Sequence, residues 1–179
     1  MNHPQESEDH SKNDYRTIEQ TMEKFSGGTR RLAAQLTTSA SFDSLWSVLT
    51  DYDRLNLYIP NLLSSKKIFQ EGNNVHLKQV GAQDFLGMKF SAEVTIDLFE
   101  DKELGLLKFK LIKGDFRKFE GSWKIQNIKN TSTNSLIYDL TVQGCQWMPI
   151  GMIEKRLKKD LSENLIAVDR QAKSSTRSL

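Results

Sequence analysis

Apolar and polar side chains alternate through the middle of the chain, and this pattern predicts β-strands. Apolar residues recur at every second position through residues 90–98, 107–111 and 136–142. A period of two is typical of strands that bury one face. The segments between them, such as 100–103 and 129–134, are short and polar. Neighbouring strands are therefore predicted to be antiparallel, because a parallel crossover needs about a dozen residues or more.

Before this run of strands, the pattern predicts one strand at 30–38 and two short helices. Ser41 is a suitable N-cap for the first helix. Its apolar residues fall at helical spacing: Phe42, Leu45, Trp46 and Leu49. A second short helix is predicted through Leu55 and Tyr58, and it should end at Pro60 because proline cannot continue a helix.

The C-terminal segment has the spacing of one long amphipathic helix that begins near Pro149. Its apolar positions form a single stripe: Ile150, Ile153, Leu157, Leu161, Leu165, Val168 and Ala172. The predicted fold is α+β, with a curved antiparallel sheet of about seven strands wrapped around this last helix. A strongly twisted sheet that wraps around a helix leaves space between the two, so an internal ligand cavity is expected.

Composition predicts one domain at residues 29–173, between flexible tails at 1–28 and 174–179, and a short helix at Ile18–Phe25 is an alternative within the first tail. With 179 residues, the chain can enclose a sizeable core. Residues 1–28 carry a net charge of −3, which leaves +5 for the rest of a chain whose total is +2. This lean towards anionic surfaces falls far short of a basic stripe, so no nucleic-acid partner is predicted.

The sequence also predicts a cytoplasmic location. No run of about 18 apolar residues is present, and the polar N-terminal segment lacks the apolar core of a secretory signal. The single cysteine, Cys145, excludes an internal disulfide and fits a reducing compartment.

Few residues are suited to metal or nucleophilic chemistry. Of three histidines, His3 and His10 lie in the N-terminal tail, which leaves His76 alone in the predicted domain. One histidine and one distant cysteine cannot supply the usual zinc ligands, and nothing marks a nucleophile beside His76. Glycine-rich nucleotide motifs are also absent. No metal, no cofactor and no catalytic residue are therefore predicted.

Two groups of residues resemble a known superfamily. The first comprises segment 46–52 with Leu55, Tyr58 and Ile59-Pro60-Asn61. The second comprises Asp115-Phe116 with Phe119, Gly121 and Trp123, followed by Pro149 and the helix through 154–164. Across residues 30–173 the chain resembles the START-like, or helix-grip, superfamily, in its coenzyme-Q-binding and polyketide cyclase/dehydrase branch.

This resemblance implies binding of a hydrophobic or amphipathic small molecule, such as a quinone, lipid, sterol, pigment or polyketide. One departure concerns the residues after Pro60. Mitochondrial coenzyme-Q chaperones typically have Trp-Cys there, whereas this chain has Asn61-Leu62. The sequence looks closer to members from photosynthetic bacteria and plastids.

Strand and helix periodicity predicts which side chains face the cavity. The expected ligand-binding residues are Gln79, Phe90, Val94, Phe109, Arg117, Phe119, Trp123, Tyr138, Trp147, Ile153, Leu157, Leu161 and Asn164. The polar members would hold a ligand's polar atoms. Arg117 has two interpretations: it pairs with a ligand head group or an inward acid, or it extends from the strand end into water. Tyr138 and Asn164 could likewise be satisfied by the protein itself.

A hairpin tip at 83–88 is apolar, although such tips are normally polar. Phe85, Leu86 and Met88 are predicted to form a lid or portal, with Met148 on its other side. The alternatives are a transient contact with a membrane surface during ligand exchange, or packing of the two loops on each other.

The combined interpretation is a non-catalytic carrier or chaperone for a hydrophobic small molecule, such as an isoprenoid quinone or related lipid. One alternative is an enzyme of the polyketide cyclase/dehydrase kind, in which Arg117, Tyr138 or Gln79 polarises a carbonyl. Another is an assembly factor that binds a protein partner and no ligand. The sequence does not indicate an oligomeric state.

Overall fold

The computed structural model of the chain describes residues 18–85, 88–146, 148 and 150–176. Two helices and eight strands follow in the order β1 (Ile18–Lys24), β2 (Arg30–Thr38), α1 (Phe42–Thr50), β3 (Leu62–Glu71), β4 (Asn74–Phe85), β5 (Met88–Asp101), β6 (Leu106–Gly114), β7 (Phe116–Asn127), β8 (Asn134–Gly144) and α2 (Ile150–Thr176). Short 3₁₀ segments lie at Ser26–Gly28 and Tyr52–Leu57.

All eight strands belong to one open antiparallel sheet. Their spatial order is β1-β2-β8-β7-β6-β5-β4-β3, so the first two strands join the far end of the β3–β8 meander through the β2–β8 pair. The connection between β2 and β3 holds α1 and the second 3₁₀ segment. This topology confirms the predicted α+β fold with antiparallel strands.

The first helix forms where its spacing predicts. Ser41 caps α1 by accepting a hydrogen bond from the backbone N–H of Ser44 at 3.1 Å. Leu45, Trp46 and Leu49 are buried, and Phe42 stacks on Trp46 with a centroid distance of 6.1 Å. The apolar face of α1 thereby becomes part of the core.

The long helix α2 packs its apolar stripe against β2, β8 and α1. Leu161, Leu165, Val168 and Ala172 are at most 1% exposed. Inward residues of the strands, such as Leu77, Ile96 and Leu107, are almost as inaccessible. The core therefore lies between one face of the sheet and a helix that crosses it, as the alternating pattern predicts.

A β-bulge near the start of β7 changes the direction of its first residues. Phe116 pairs with Gly144 and Lys118 with Gln143, so Arg117 is the extra residue. An extra residue shifts the alternation of faces by one position. As a result, Arg117 is exposed while Phe116 packs on the core.

The N-terminal boundary of the domain differs from the expectation. Residues 18–24 were predicted to belong to a flexible tail, with a short helix as the alternative, yet they form β1 and pair along their whole length with β2. Ile18 and Met22 pack against the core. Their burial, together with the ladder of β1 and β2, outweighs the polar composition of the segment. At the other end, α2 continues to Thr176, beyond the predicted boundary at residue 173.

Candidate functional site

A cavity of about 290 Å³ lies between the sheet and α2. Sheet residues on β4 to β8 form most of its wall, α2 forms the facing side, and the segment 49–62 contributes the rest. Many of the lining residues are aliphatic: Leu49, Leu55, Ile59, Leu62, Leu77, Val94, Ile96, Leu98, Leu107, Leu140, Leu157, Leu161 and Val168. The cavity volume is close to the lower end of the ~300–1,000 Å³ that is usual for small-molecule sites.

Aromatic rings from three adjacent strands form one wall of this cavity. Trp123 on β7 and Tyr138 on β8 stack face to face, with centroids 4.0 Å apart and planes at 10°. Phe119 lies 5.6 Å from Phe109 and 5.5 Å from Phe116, measured between ring centroids. Five rings therefore form a continuous, largely apolar surface on this side of the cavity.

Gly121 makes this aromatic wall sterically feasible. It pairs with Phe109 across the β6–β7 ladder. A Cβ atom at Gly121 would lie 2.9 Å from Cζ of Phe109 and would overlap the carbonyl oxygen of Asp139. Only glycine therefore allows the Phe109 ring to lie over this part of β7.

The α2 side of the cavity carries a polar seam, defined here as Arg156, Asp160 and Asn164. The three residues are spaced by four, so they lie one above another on one face of the helix. Nε of Arg156 lies 3.1 Å from Oδ1 of Asp160. Asn61, from the loop before β3, donates a hydrogen bond of 3.4 Å to the same Oδ1 and so connects the two sides of the cavity.

Burial raises the pKa values of two side chains at the cavity, Asp160 in the polar seam and Tyr138 on β8. Desolvation raises the pKa of Asp160 above its ordinary value, and the nearby Arg156 only partly opposes that shift. The pKa of the Tyr138 hydroxyl is raised first by burial and then by the negative charge of Asp160. The tyrosine therefore stays a neutral hydrogen-bond donor across the physiological range.

Among the described residues that line the cavity, two buried side-chain atoms make no hydrogen bond: Nε of Arg156, although it lies close to Asp160, and Oδ1 of Asn164. The side-chain oxygen Oδ1 of Asn164 is buried and accepts no hydrogen bond. Tyr138 is only 7% exposed, and no described group hydrogen-bonds to its hydroxyl. On the sheet side, in contrast, Nε2 of Gln79 donates to Oγ of Ser65 at 3.1 Å.

The structure brings most of the predicted ligand-binding residues together around the cavity. The lining includes Gln79, Val94, Phe109, Phe119, Trp123, Tyr138, Leu157, Leu161 and Asn164, and also Met148 from the predicted portal. Leu86 and Trp147 lie outside the described residues, as do the side chains of Phe85, Met88, Phe90 and Ile153. Whether the lining residues bind a ligand remains a prediction.

Arg117 is the predicted residue that the structure places elsewhere. Its side chain was expected to share the inward face of Phe119, but the bulge at this position turns it to solvent. The expectation that it faces the cavity is therefore wrong, and the interpretation with an exposed side chain agrees with the structure. Phe116 takes the inward position instead.

Sequence reasoning missed Arg156 and Asp160, although the signal was present. Asn164 was identified from its place on the apolar stripe of the last helix. Counting back by four and eight residues from Asn164 reaches Asp160 and Arg156. The same helical spacing thus places both charges on the cavity side.

Contacts with β1 and β2 anchor the first turns of α2. Glu154 accepts hydrogen bonds from Nε of Arg30 at 2.6 Å and from Nζ of Lys24 at 3.1 Å. These contacts lower the pKa of Glu154. Gln20 on β1 donates to the backbone oxygen of Lys158 at 2.7 Å. The helix that carries the polar seam is therefore fixed to the first two strands of the sheet.

Two other features bear on the kind of site. Within the described part of the chain, no three histidine, cysteine or carboxylate side chains come close enough together to bind a metal ion. None of the described helices has the length and apolar character to span a bilayer.

The family model for polyketide cyclase/dehydrase and lipid transport proteins matches residues 38–169. No curated protein matches the chain. Among solved structures, a STAR-related lipid transfer protein from Xanthomonas axonopodis superposes with a TM-score of 0.75 at 11% identity, over 87% of this chain and 93% of that one.

Two further solved structures superpose on this chain with slightly lower TM-scores. The Zhui aromatase/cyclase from Streptomyces sp. R1128 has a TM-score of 0.69 at 14% identity, covering 81% of this chain and 94% of its own. A protein from Thermus thermophilus has a TM-score of 0.67 at 19% identity, covering 81% and 98%. At these identities, the likenesses show a shared fold and carry no assignment of ligand.

Proposed function

Since the chain belongs to the polyketide cyclase/dehydrase and lipid transport family and has its START-like, helix-grip fold, we propose that it binds a hydrophobic small molecule. The observation that carries this proposal is the cavity of about 290 Å³ between the sheet and α2. Its wall combines many aliphatic side chains with six aromatic residues and a smaller number of polar ones, which is the usual composition of a small-molecule site.

We favour a carrier that binds this molecule without reacting with it over an enzyme that converts it. The aromatic wall and the aliphatic lining would hold an apolar ligand by desolvation, which needs no reacting group. An isoprenoid quinone head group or a related lipid suits a site with aromatic rings on one side and a polar seam on the other. The lipid transfer protein of similar fold supports this choice as a precedent.

The first test is extraction of the native protein. The chain would be purified without detergent and extracted with organic solvent, and co-purifying lipophiles would be identified by mass spectrometry. We expect one class of lipophile in near-stoichiometric amount. The matched variants are Ala92→Trp, which fills the cavity from β5, and Ala33→Trp, which lies on the opposite face of β2.

The cavity variant should lose the co-purifying molecule, while the Ala33→Trp control should retain it and both should remain folded. An empty wild-type protein that also fails to take up added lipophiles would contradict the carrier function. That outcome would favour the assembly-factor interpretation.

One observation favours a second candidate, an enzyme of the cyclase/dehydrase kind. Asp160 lines the cavity and has a raised pKa, and such carboxyl groups are candidates for proton transfer. In this case Asp160 would donate a proton to a carbonyl oxygen of a bound poly-β-ketone. Turnover of such a compound that disappears in Asp160→Asn, with the fold intact, would establish the enzyme and displace the carrier.

A further inference from the structure

Tyr138 on β8 lines the cavity and carries a hydroxyl without a partner among the described residues. The residue is only 7% exposed, and its ring is held by stacking on Trp123, with centroids 4.0 Å apart. Unlike Nε of Arg156 and Oδ1 of Asn164, which are enclosed, the hydroxyl oxygen stays accessible from the cavity. Native proteins rarely leave such a group without a hydrogen bond, so a bound molecule or a water is expected to satisfy it.

The two enclosed atoms on α2 are out of reach of a ligand. Nε of Arg156 lies 3.1 Å from Oδ1 of Asp160, so its charge is compensated although it makes no hydrogen bond. Because Oδ1 of Asn164 is enclosed, the accessible end of this amide is its N–H2 group. That end can only donate hydrogen bonds.

The acceptor on the α2 side of the cavity already has partners. Oδ1 of Asp160 lies beside Arg156 and accepts a hydrogen bond of 3.4 Å from Asn61. The amide of Gln79 lies on β4, four strands away from β8 in the sheet. The polar groups that remain open to a ligand between β8 and α2 are therefore hydrogen-bond donors.

This polarity favours a ligand atom that only accepts. Burial and the negative charge of Asp160 raise the pKa of Tyr138, so its hydroxyl keeps its proton and can donate it. A carbonyl oxygen accepts that hydrogen bond and brings no donor of its own. An alcohol in the same place would add a buried O–H among donors, and an unpaired O–H is costly. A carboxylate would bring a second negative charge towards Asp160.

We infer that the bound molecule is a ketone or quinone whose carbonyl oxygen accepts a hydrogen bond from the hydroxyl of Tyr138. Its apolar remainder lies against the aromatic wall and the aliphatic lining of the cavity. This inference rests on the proposed function and specifies the chemical class of the ligand. It also assigns a preference: the carbonyl form of such a molecule binds more tightly than its reduced hydroxyl form.

Three bicyclic probes test the inference: 1-tetralone, 1-tetralol and tetralin. They share one carbon skeleton and differ at one carbon, which carries a carbonyl, a hydroxyl or only hydrogens. Their dissociation constants would be measured by calorimetric titration on the full chain, on Tyr138→Phe and on Leu157→Ala. Comparing the ratio of two constants between proteins cancels the difference in hydration between the probes.

We expect the preference for 1-tetralone over tetralin to fall about tenfold in Tyr138→Phe, which loses one hydrogen bond to the carbonyl. The wild type should also bind 1-tetralone severalfold more tightly than 1-tetralol, because the alcohol buries an unpaired O–H. Leu157→Ala is the matched control, since Leu157 lines the cavity and has no polar atom in its side chain. It should weaken all three probes and leave their ratios unchanged.

Thermal unfolding without ligand tests whether the protein itself satisfies the hydroxyl. Tyr138→Phe should melt no lower than the wild type, because it removes a buried hydroxyl that has no partner in the protein. A clearly lower melting temperature would mean that the hydroxyl already has a hydrogen bond within the fold. The inference would then lose its basis.

The binding outcomes separate this inference from the proposed function. If all three probes bind but Tyr138→Phe leaves the ratio of 1-tetralone to tetralin unchanged, the cavity binds lipophiles and the carbonyl inference is wrong. A wild type that binds 1-tetralol more tightly than 1-tetralone leads to the same conclusion, because the cavity would then offer the alcohol an acceptor. If no probe binds the wild type, both proposals fail together.

Discussion

Arg117 illustrates how one inserted residue redirects a side chain. A charged guanidinium among the apolar residues of the cavity would need a paired acid, and burial of an unpaired charge is costly. The bulge avoids this cost, because it turns the side chain of Arg117 to solvent and places that of Phe116 at the cavity. The charge thus stays hydrated, and the aromatic wall gains a ring.

We expect Arg117→Gln to leave ligand affinity within about twofold and stability within about 0.5 kcal/mol, because exposed substitutions have small effects. Phe119→Ala is the comparison, since its ring lines the cavity. Loss of that apolar contact should weaken binding by about tenfold or more. The measurement is titration with 1-tetralone, and a larger loss in Arg117→Gln than in Phe119→Ala would contradict the placement of both residues.

At the scale of elements, α2 is held to the sheet differently along its length. Its middle and end are fixed by complete burial of Leu165 and Val168, and of Asp169, to which Thr38 donates a hydrogen bond. Its first turns depend on polar contacts, above all those of Glu154 with Arg30 and Lys24. These turns also precede Arg156, at the start of the polar seam.

The hydrogen bonds from Arg30 and Lys24 lower the pKa of Glu154, and this gives a pH-dependent prediction. A folded-state pKa below the unfolded value of about 4.3 means that the carboxylate stabilises the fold above that pH. The contribution is lost as the pH falls through the lowered folded pKa. Glu154→Gln should therefore melt below the wild type at pH 7, and the difference should close as the pH falls below about 4.

Glu163→Gln is a suitable control on the same helix, because its partner Lys159 lies 3.6 Å away and is largely exposed. It should change the melting temperature little at either pH. Thermal unfolding at pH 7 and at pH 3 distinguishes the outcomes. Equal destabilisation by Glu154→Gln at both values would mean that the ionised carboxylate contributes nothing.

At the scale of the whole molecule, the sheet ends with β1 at one edge and β3 at the other. The β1 strand covers β2 and carries two residues, Ile18 and Met22, that pack on the core. Through Gln20 it also contacts the backbone of α2 at Lys158. The folded unit therefore begins at residue 18 or earlier, and not after the paired glycines at 27 and 28.

Two truncated chains test this boundary, one starting at Ile18 and one starting at Thr29. The shorter chain lacks β1, so it loses the burial of two apolar side chains and exposes the β2 edge. We expect it to be less stable by at least about 2 kcal/mol in urea unfolding, and more prone to aggregate through that edge. Equal stability of the two chains would show that β1 is dispensable.

The sequence by itself determined the fold, for reasons that are local in the chain. Alternation through 90–98 and 136–142 and helical spacing from Leu157 to Ala172 each report which face of an element is buried. Short polar connections then require antiparallel neighbours. Residues such as Phe109, Trp123 and Tyr138 could be assigned to the cavity because inward faces follow directly from this period, and the family resemblance agreed with it.

Only the tertiary structure decided features that depend on contacts between distant residues. The bulge at Arg117 depends on the register of β7 against β8, and the inclusion of β1 depends on its pairing with β2. The raised pKa of Asp160 and the unpaired oxygen of Asn164 likewise depend on what surrounds them in space. Hydrogen-bond satisfaction and desolvation are properties of the packed interior, and no period in the sequence encodes them.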